Sequence, residues 1–310
     1  MKRILVIGGA GFVGSHLVEE LLKTKKNKLF LIDNLFLGTK KNLINVKNKI
    51  NFFNLDASKK DKIDFFFKNR NFDIVFNLAT KPINYSLKNP IDGYNAQIEI
   101  VKNLLIFQKE KKIKKFIHFS TSEVYGSGSG IMNENYRCSP ETTYAAGKYA
   151  CDVLIQTFSS LYNLDTLIVR PSNIYGPRQY YKNRHDLKPS LIVSAINAFK
   201  KNRTFKIQGN GKQSRDYIFV KDFVYLLVKS FDKLKTKNIY HYSSNVNLSV
   251  NKITYIISKK FPKKSKIKFT KKRLGDVFYH RLCNKKLKKV LKFKLTKFSD
   301  GIDKTIKYYS

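Results

Sequence analysis

A tyrosine and a lysine stand four residues apart near the middle of the chain, as Tyr144 and Lys148. The surrounding segment, residues 141–161, has the pattern of a helix, and residues four apart lie on one helical face. A lysine ammonium held near a phenol favours phenolate, so the pKa of the tyrosine falls from its usual value of about 10. Such a tyrosine can act as a general base near neutral pH. The pair alone is more often an ordinary helix surface, so this hypothesis depends on the rest of the chain.

A glycine-rich turn at the start of the chain predicts a dinucleotide site. Gly8, Gly11 and Gly14 follow the apolar run 4–7 and precede a helical segment. Glycines at this spacing let the backbone turn sharply and approach a pyrophosphate, which binds at the positive end of the helix. Asp33 ends the second predicted strand, where a carboxylate accepts the ribose hydroxyls and repels the 2′-phosphate of NADP. NAD is therefore the expected cofactor.

Other cofactor contacts are expected where further strands end. Asp56 follows the third predicted strand and is expected to reach the adenine edge. Leu78 and Ala79 end the fourth strand, where they would line the cofactor. The residues predicted to line this site are Gly8, Gly11, Phe12, Val13, Gly14, Asp33, Asn34, Asp56, Ala57, Leu78 and Ala79.

Short apolar runs alternate with helical stretches through the first half of the chain, and this pattern implies a parallel sheet with helices on both faces. Strands are predicted at 3–7, 28–32, 50–53, 74–78, 116–120 and 166–170, with helices at 13–23, 61–69 and 91–110. We predict an α/β fold in which a Rossmann-type doubly wound parallel sheet occupies residues 1–175. Residues 176–310 are expected to form mainly a smaller C-terminal substrate-binding lobe, with some return to the first domain.

The composition favours a globular protein and argues against several other classes. The chain has 310 residues, of which 42% are hydrophobic, enough for a packed core. Its cysteines, Cys138, Cys151 and Cys283, lack the spacing of a disulfide framework or a zinc site, and they fit a reducing cytoplasm. No stretch approaches the roughly 20 apolar residues that a membrane span requires. No metal is expected, because the histidines lack metal-like spacing and are interpreted as structural: His16, His118, His185, His241 and His280.

The net charge of +39 is extreme and could mark a protein that binds nucleic acid or an anionic membrane. However, the 51 lysines are scattered over both halves of the chain in short clusters. A lysine-heavy surface is therefore the favoured interpretation, and a nucleic-acid partner is not expected.

Four further motifs make the hypothesis more specific. The fifth strand runs into Thr121-Ser122-Glu123, which is followed by Val-Tyr-Gly, and three more motifs occupy residues 170–178, 209–217 and 273–276. With the glycine turn and the Tyr144/Lys148 pair, this order resembles the extended short-chain dehydrogenase/reductase family. Within it, the chain is similar to the NAD-dependent nucleotide-sugar epimerases and dehydratases, over nearly its whole length.

The resemblance implies roles for matching residues. Thr121 would hydrogen-bond the sugar 4-hydroxyl, and Tyr144 would take its proton while carbon 4 passes hydride to a tightly held NAD. Lys148 would hold the nicotinamide ribose and tune Tyr144. The product of this step is a transient 4-keto sugar. The residues expected to contact a nucleotide-diphosphate sugar are Ser122, Asn173, Arg178, Arg215, Arg273 and Asp276. A homodimer is also expected.

Glu123 leaves the fate of the ketone open. A 4-keto group acidifies the proton on carbon 5, and a carboxylate two positions after Thr121 could remove it to start a 4,6-dehydration. Ser122 stands where some dehydratases have an acid, and a 4-epimerase needs neither group. Dehydration and epimerisation are therefore weighed nearly equally, with decarboxylation third. A non-enzymatic NAD- or RNA-binding member of the superfamily is the hypothesis from another class.

Overall fold

Strands and helices alternate in the first half of the molecule, as the sequence predicts. The computed structural model describes residues 1–24, 27–179, 187, 189–263, 265–272 and 275–309. The elements of the first half are β1 (Lys2–Ile7), α1 (Phe12–Leu22), β2 (Asn27–Ile32), β3 (Ile50–Phe53), α2 (Lys60–Phe67), β4 (Phe72–Asn77), α3 (Ile83–Ser86), α4 (Pro90–Lys109), β5 (Ile113–Phe119), α5 (Thr143–Leu161) and β6 (Asp165–Pro171). Two 3₁₀ helices, Lys40–Lys49 and Ser122–Tyr125, lie between them.

The second half contains shorter strands and more loops. Its elements are β7 (Asn173–Tyr175), α6 (Leu191–Lys200), β8 (Phe205–Gln208), β9 (Ser214–Phe219), α7 (Val220–Ser230), β10 (Asn238–Tyr242), β11 (Asn247–Ser249), α8 (Val250–Ser258), β12 (Ile267–Thr270), α9 (Lys285–Val290) and α10 (Phe298–Tyr309). None of the helices in the described part of the chain combines the length and the apolar character that crossing a bilayer requires.

A seven-stranded parallel sheet organises the molecule, in the order β10-β6-β5-β4-β1-β2-β3. The chain moves outward from β1 to β3 on one side and returns to start β4 on the other side of β1. Loops that leave β1 and β4 therefore diverge and open a crevice at the carboxyl ends of these strands. The predicted α/β fold with a Rossmann-type sheet is confirmed.

The sheet is buried on both faces because its strands are apolar at nearly every position. In β1, Ile4 and Val6 pack in the core beneath α1 and α7, whereas Leu5 and Ile7 pack in the core beneath α2, α4 and α5. Burial of each such side chain contributes about 1.5–3 kcal/mol. The sheet is thus a rigid base for the residues at its carboxyl edge.

A smaller lobe follows β6 and has a core of its own. It contains the three-stranded sheet β11-β9-β7, the pair β12-β8 and the helices α6, α8 and α10. The segment Val220–Tyr242 returns to the first sheet, where α7 packs against α1 and β10 pairs with β6. The division at residues 175 and 176 stays a prediction.

Candidate functional site

The glycine turn joins β1 to α1 at the crevice. Gly8 has a positive φ of 81°, and its amide donates to the Ile32 carbonyl at 2.8 Å. A Cβ on Gly14 would lie only 2.1 Å from the Gly8 carbonyl oxygen, so only glycine allows α1 to pack this closely on the turn. The N-cap of α1 is Gly11, which has no side chain to cap the helix. The first-turn amides therefore remain for an anionic ligand.

A cavity of about 490 Å³ opens at this turn. It is lined by the glycine turn and by the residues that end β1, β2 and β4, together with the segment after β3. Every residue predicted for the cofactor site lines it except Lys148. Sequence reasoning missed three further lining residues, Phe36, Lys81 and Asp92, because they lie on loops and at a helix start without a recognisable motif.

Two carboxylates are held in place at this cavity. Asp33 is buried, and its carboxylate accepts hydrogen bonds from the amides of Ala10 at 2.9 Å and Leu35 at 2.8 Å. The Asp56 carboxylate accepts from the backbone amide and hydroxyl of Ser58 and from the side-chain Nδ2 of Asn34. Burial raises the pKa of Asp56, but these hydrogen bonds outweigh burial and leave the pKa below its usual value. Asp56 is therefore ionised near neutral pH, and both carboxyl groups can accept hydrogen bonds from hydroxyl donors.

Helix α5 carries the tyrosine and lysine on one face. It begins at Thr143, two residues later than predicted, because the Thr142 hydroxyl caps it by accepting from the Ala145 amide at 3.2 Å. Tyr144 is half-buried one turn before Lys148, and Lys148 is only 2% exposed. The Lys148 ammonium donates to the Phe119 carbonyl at 2.7 Å, which ties α5 to the carboxyl end of β5.

Burial lowers the pKa of Lys148 to about 8, while Cys151 and Asp152 act in the opposite direction. The lysine therefore remains mostly cationic at pH 7, as the proposed tuning of Tyr144 requires. A buried cation of this kind is costly for folding, and such groups concentrate at functional sites.

A buried polar network supports this helix from below, and the sequence did not reveal it. Asp152, one turn after Lys148, accepts from Ser120 at 2.8 Å and from two nitrogens of Arg170, each at 2.9 Å. Arg170 also donates to the Tyr125 hydroxyl, which lies 2.5 Å from His241. The one sequence feature that could have indicated this network is the position of Asp152, four residues after Lys148 and therefore on the same face of the helix. The network fixes α5 against the ends of β5 and β6. It therefore sets the position of the helix that carries Tyr144 and Lys148 relative to the end of β5, where Thr121 follows Ser120.

A second polar cluster follows β5, where Thr121 caps the 3₁₀ helix by accepting from the Glu123 amide at 3.2 Å. One carboxylate oxygen of Glu123, Oε1, lies 3.8 Å from Arg215 Nε and 3.7 Å from His280 Nδ1. Arg215, on β9, is also 3.2 Å from the Asp276 carboxylate. The fold thus joins Thr121 and Glu123 to two residues predicted to bind substrate, and it adds His280.

The other predicted substrate residues have different surroundings. Asn173 lies on β7 and hydrogen-bonds Tyr217 of β9, and Ser122 is buried in the 3₁₀ helix. Arg178 pairs with Glu19 of α1, so it links the segment after β7 to the first helix and does not join the Glu123 cluster. Arg273 and His185 lie outside the described residues.

The sheet, the glycine-lined cavity and the adjoining tyrosine–lysine helix define a dinucleotide-dependent enzyme of the Rossmann type. The chain belongs to the NAD dependent epimerase/dehydratase family, whose model matches residues 4–244. It is therefore an NAD-dependent enzyme of the epimerase/dehydratase class. The cavity fits this cofactor, because the uncapped N-terminus of α1 lines it where the pyrophosphate is expected and Asp33 lines it where the ribose is expected.

The proteins similar to this chain include both 4,6-dehydratases and 4-epimerases. The chain is 32% identical over 270 residues to a dTDP-D-glucose 4,6-dehydratase of Dictyostelium discoideum, covering 80% of this chain and only 60% of that relative. It is 29% identical over 316 residues to a UDP-glucose 4-epimerase of Mycolicibacterium smegmatis, covering 99% and 98% of the two chains. A solved dTDP-glucose 4,6-dehydratase from Streptomyces venezuelae, with NAD bound, is 25% identical, with a TM-score of 0.90 and coverage of 99% and 96%.

Proposed function

We propose that this protein is an NAD-dependent nucleotide-sugar 4,6-dehydratase. The observation that carries the proposal is the carboxylate of Glu123, which is only 13% exposed and lies two residues after Thr121. Its second oxygen, Oε2, is buried without a hydrogen-bond partner among the described residues. An incompletely satisfied buried carboxylate is costly, and such a cost is typical of a group that acts on a substrate. Epimerisation at carbon 4 requires no proton transfer by this carboxylate.

The first step is the oxidation of the sugar at carbon 4. NAD bound in the cavity would supply the hydride acceptor. Thr121 would hold the 4-hydroxyl, and Tyr144 would take its proton as general base. Lys148, fixed on the Phe119 carbonyl, would favour the phenolate by its positive charge and would contact the cofactor ribose.

The second step is the removal of the carbon 5 proton by Glu123. The new ketone at carbon 4 makes this proton acidic, because the electron pair that remains can spread onto the ketone oxygen. The Arg215 guanidinium lies close to this carboxylate, with Nε 3.8 Å from Oε1 of Glu123. The hydroxyl of carbon 6 would leave as water with the proton that Glu123 took. Hydride return to carbon 6 and uptake of a solvent proton at carbon 5 would then give a 4-keto-6-deoxy sugar.

The smaller lobe would bind the nucleotide diphosphate. A guanidinium matches phosphate oxygens with two parallel donors, and Arg215 is held in the cluster by the Asp276 carboxylate at 3.2 Å. Asn173, on the adjacent strand β7, and Arg273 complete the proposed set. The lysine-heavy surface would help to gather an anionic substrate.

A 4-epimerase is the second candidate, and one observation favours it. Arg215 and His280 both lie near Glu123, so the carboxylate could serve to hold the lobe loop and not to abstract a proton. The near-complete overlap with the mycobacterial epimerase agrees with this alternative.

The test is mass spectrometry of products from UDP-, dTDP-, GDP- and CDP-sugars. Loss of one water mass supports dehydration, an unchanged mass with altered chromatography supports epimerisation, and loss of carbon dioxide from a uronic acid supports decarboxylation. Glu123→Gln should abolish loss of water while reduced cofactor still forms on mixing. Glu110→Gln, at the exposed C-cap of α4, is the matched control. Dehydration by Glu123→Gln at nearly the wild-type rate would exclude the role assigned to this carboxylate.

We further propose a cytoplasmic location, which the free thiols Cys138, Cys151 and Cys283 support. A homodimer and the absence of a nucleic-acid partner stay predictions. Size-exclusion chromatography with light scattering tests the first, and a binding titration with RNA at physiological salt tests the second.

A further inference from the structure

The hydrogen bonding of His280 fixes which of its ring nitrogens carries hydrogen. Its Nε2 lies 2.7 Å from the Gly126 carbonyl oxygen, and a carbonyl can only accept a hydrogen bond. Nε2 therefore carries the hydrogen, and in the neutral ring Nδ1 has a free lone pair. This Nδ1 lies 3.7 Å from Oε1 of Glu123. When the ring is neutral, two hydrogen-bond acceptors therefore lie 3.7 Å apart with no proton between them.

His280 and the Oε2 atom of Glu123 are buried, and both side chains are incompletely satisfied. His280 is 1% exposed, and its Nδ1 has no hydrogen-bond partner among the described residues. Oε2 of Glu123 is also buried without a hydrogen-bond partner among the described residues. A single proton placed on the carboxyl group would turn the unfavourable contact into a hydrogen bond to Nδ1, after a small closure to about 2.7–3.2 Å.

The charges around His280 keep its ring neutral before the reaction. Burial lowers the pKa of His280, with Glu123 raising it and Arg215 lowering it further. Glu141 also raises it, but its carboxylate accepts from the Ser127 amide at 2.6 Å. Asp276 faces Arg215 at 3.2 Å and balances part of the guanidinium charge.

We propose that His280 is a positioning residue that accepts a hydrogen bond from Glu123 once this carboxyl group has taken the carbon 5 proton. The inference rests on the proposed dehydratase function. In the step concerned, the bond between carbon 5 and its hydrogen breaks, the proton moves to Glu123, and the electron pair spreads onto the carbon 4 ketone oxygen. His280 stabilises the protonated carboxyl group and thereby the enolate that forms with it. The sequence interpretation of His280 as merely structural misses this pairing.

The test measures two steps separately in heavy water. Formation of reduced cofactor reports oxidation at carbon 4, and deuterium at carbon 5 reports proton transfer through Glu123. His280→Gln can keep the donor to Gly126 but loses the Nδ1 acceptor, whereas His280→Asn places a side-chain oxygen near the Nδ1 position. We expect the glutamine variant to form reduced cofactor normally, with exchange at carbon 5 slowed roughly tenfold to a hundredfold, and the asparagine variant to recover part of that loss.

The pH profile separates this role from a structural one. In the wild type, exchange at carbon 5 should fall in acid as Nδ1 becomes protonated and ceases to accept, below the ordinary histidine pKa of about 6.5. This fall of the exchange rate in acid should disappear in His280→Gln. Unchanged exchange with an unchanged profile would overturn the inference even if Glu123→Gln abolishes exchange. Normal exchange in Glu123→Gln would instead overturn the proposed function.

Nitrogen NMR of the wild type provides a measurement that does not depend on the folding of a variant. At neutral pH the His280 ring should carry hydrogen on Nε2 and none on Nδ1. A resonance typical of a protonated Nδ1 at that pH would contradict the proposed acceptor role.

Discussion

The cofactor cavity and the Glu123 cluster lie along the same edge of the sheet, but their polar groups are satisfied differently. At the cavity, Asp33 and Asp56 each accept hydrogen bonds from nearby backbone or side-chain donors. In the cluster, Glu123 and His280 each have one buried polar atom without a partner among the described residues. The first region is already ordered for a ligand, whereas the second keeps unsatisfied groups at the position assigned to proton transfer.

This difference has a physical basis. A cofactor that stays bound requires a rigid site, and hydrogen bonds from neighbouring backbone amides provide one without distant partners. Proton transfer requires a group whose protonation changes during the reaction, so its environment cannot fully satisfy one state. Substitutions at the cofactor cavity should therefore alter cofactor binding and folding. Substitutions at the residues that transfer protons should instead slow the chemical step.

The largest effect is expected from Tyr144→Phe, which should impair chemistry without disturbing the cavity. Removal of a general base typically lowers the rate 10²- to 10⁴-fold, equivalent to about 3–5 kcal/mol. Stopped-flow formation of reduced cofactor should fall by this amount, while NAD affinity by calorimetry stays within about twofold. Tyr149→Phe, on the same helix but packed in an apolar cluster, is the control. Comparable losses in both variants would show that the helix, and not the base, was damaged.

Gly14→Ala should break the cavity and leave the Glu123 cluster in place. The new Cβ would lie 2.1 Å from the Gly8 carbonyl oxygen, so α1 must shift. Crowding of this kind costs roughly 1–3 kcal/mol of folding free energy, and NAD should be lost on purification. Urea unfolding and the cofactor content of purified protein are the measurements. Gly130→Ala, where a Cβ meets no atom within 4 Å, should change neither.

Lys148→Met should change the free energy of unfolding least. Unlike Gly14→Ala, it should make the protein more stable. Burial lowers the Lys148 pKa from 10.5 to about 8, so between these values the unfolded chain binds more protons and wild-type stability rises with pH. At pH 7 the buried charge therefore costs about 3 kcal/mol, part of which is offset by its bond to the Phe119 carbonyl.

The methionine variant should consequently be about 1–2 kcal/mol more stable than wild type at pH 7. The advantage should shrink as the pH rises toward 10. Urea unfolding at several pH values checks this, with the exposed Lys47→Met as a control that shows no such trend. A variant that is destabilised by several kcal/mol at pH 7 would contradict the interpretation that Lys148 is kept for function at the expense of stability.

The sequence predicted most of the sheet and of the cofactor cavity because both depend on local patterns. The predicted strand at 50–53 coincides with β3, and the other five first-half strands differ by a few residues at their ends. The glycine turn and Asp33 are set by short-range spacing that follows directly from the geometry of a strand, a turn and a helix. The helix around Tyr144 was predicted two residues too long at its start, because capping by Thr142 ends the helical conformation there.

By itself the sequence determined the fold class, the cofactor cavity and the helical spacing of Tyr144 and Lys148, since each follows from residues close together in the chain. Tertiary structure alone decided which side chains surround Glu123. Arg215 lies 92 residues and His280 157 residues beyond it, and no local spacing relates them. Only the folding of the smaller lobe over the carboxyl edge of the sheet, with Gly126 holding the His280 ring, brings these groups together.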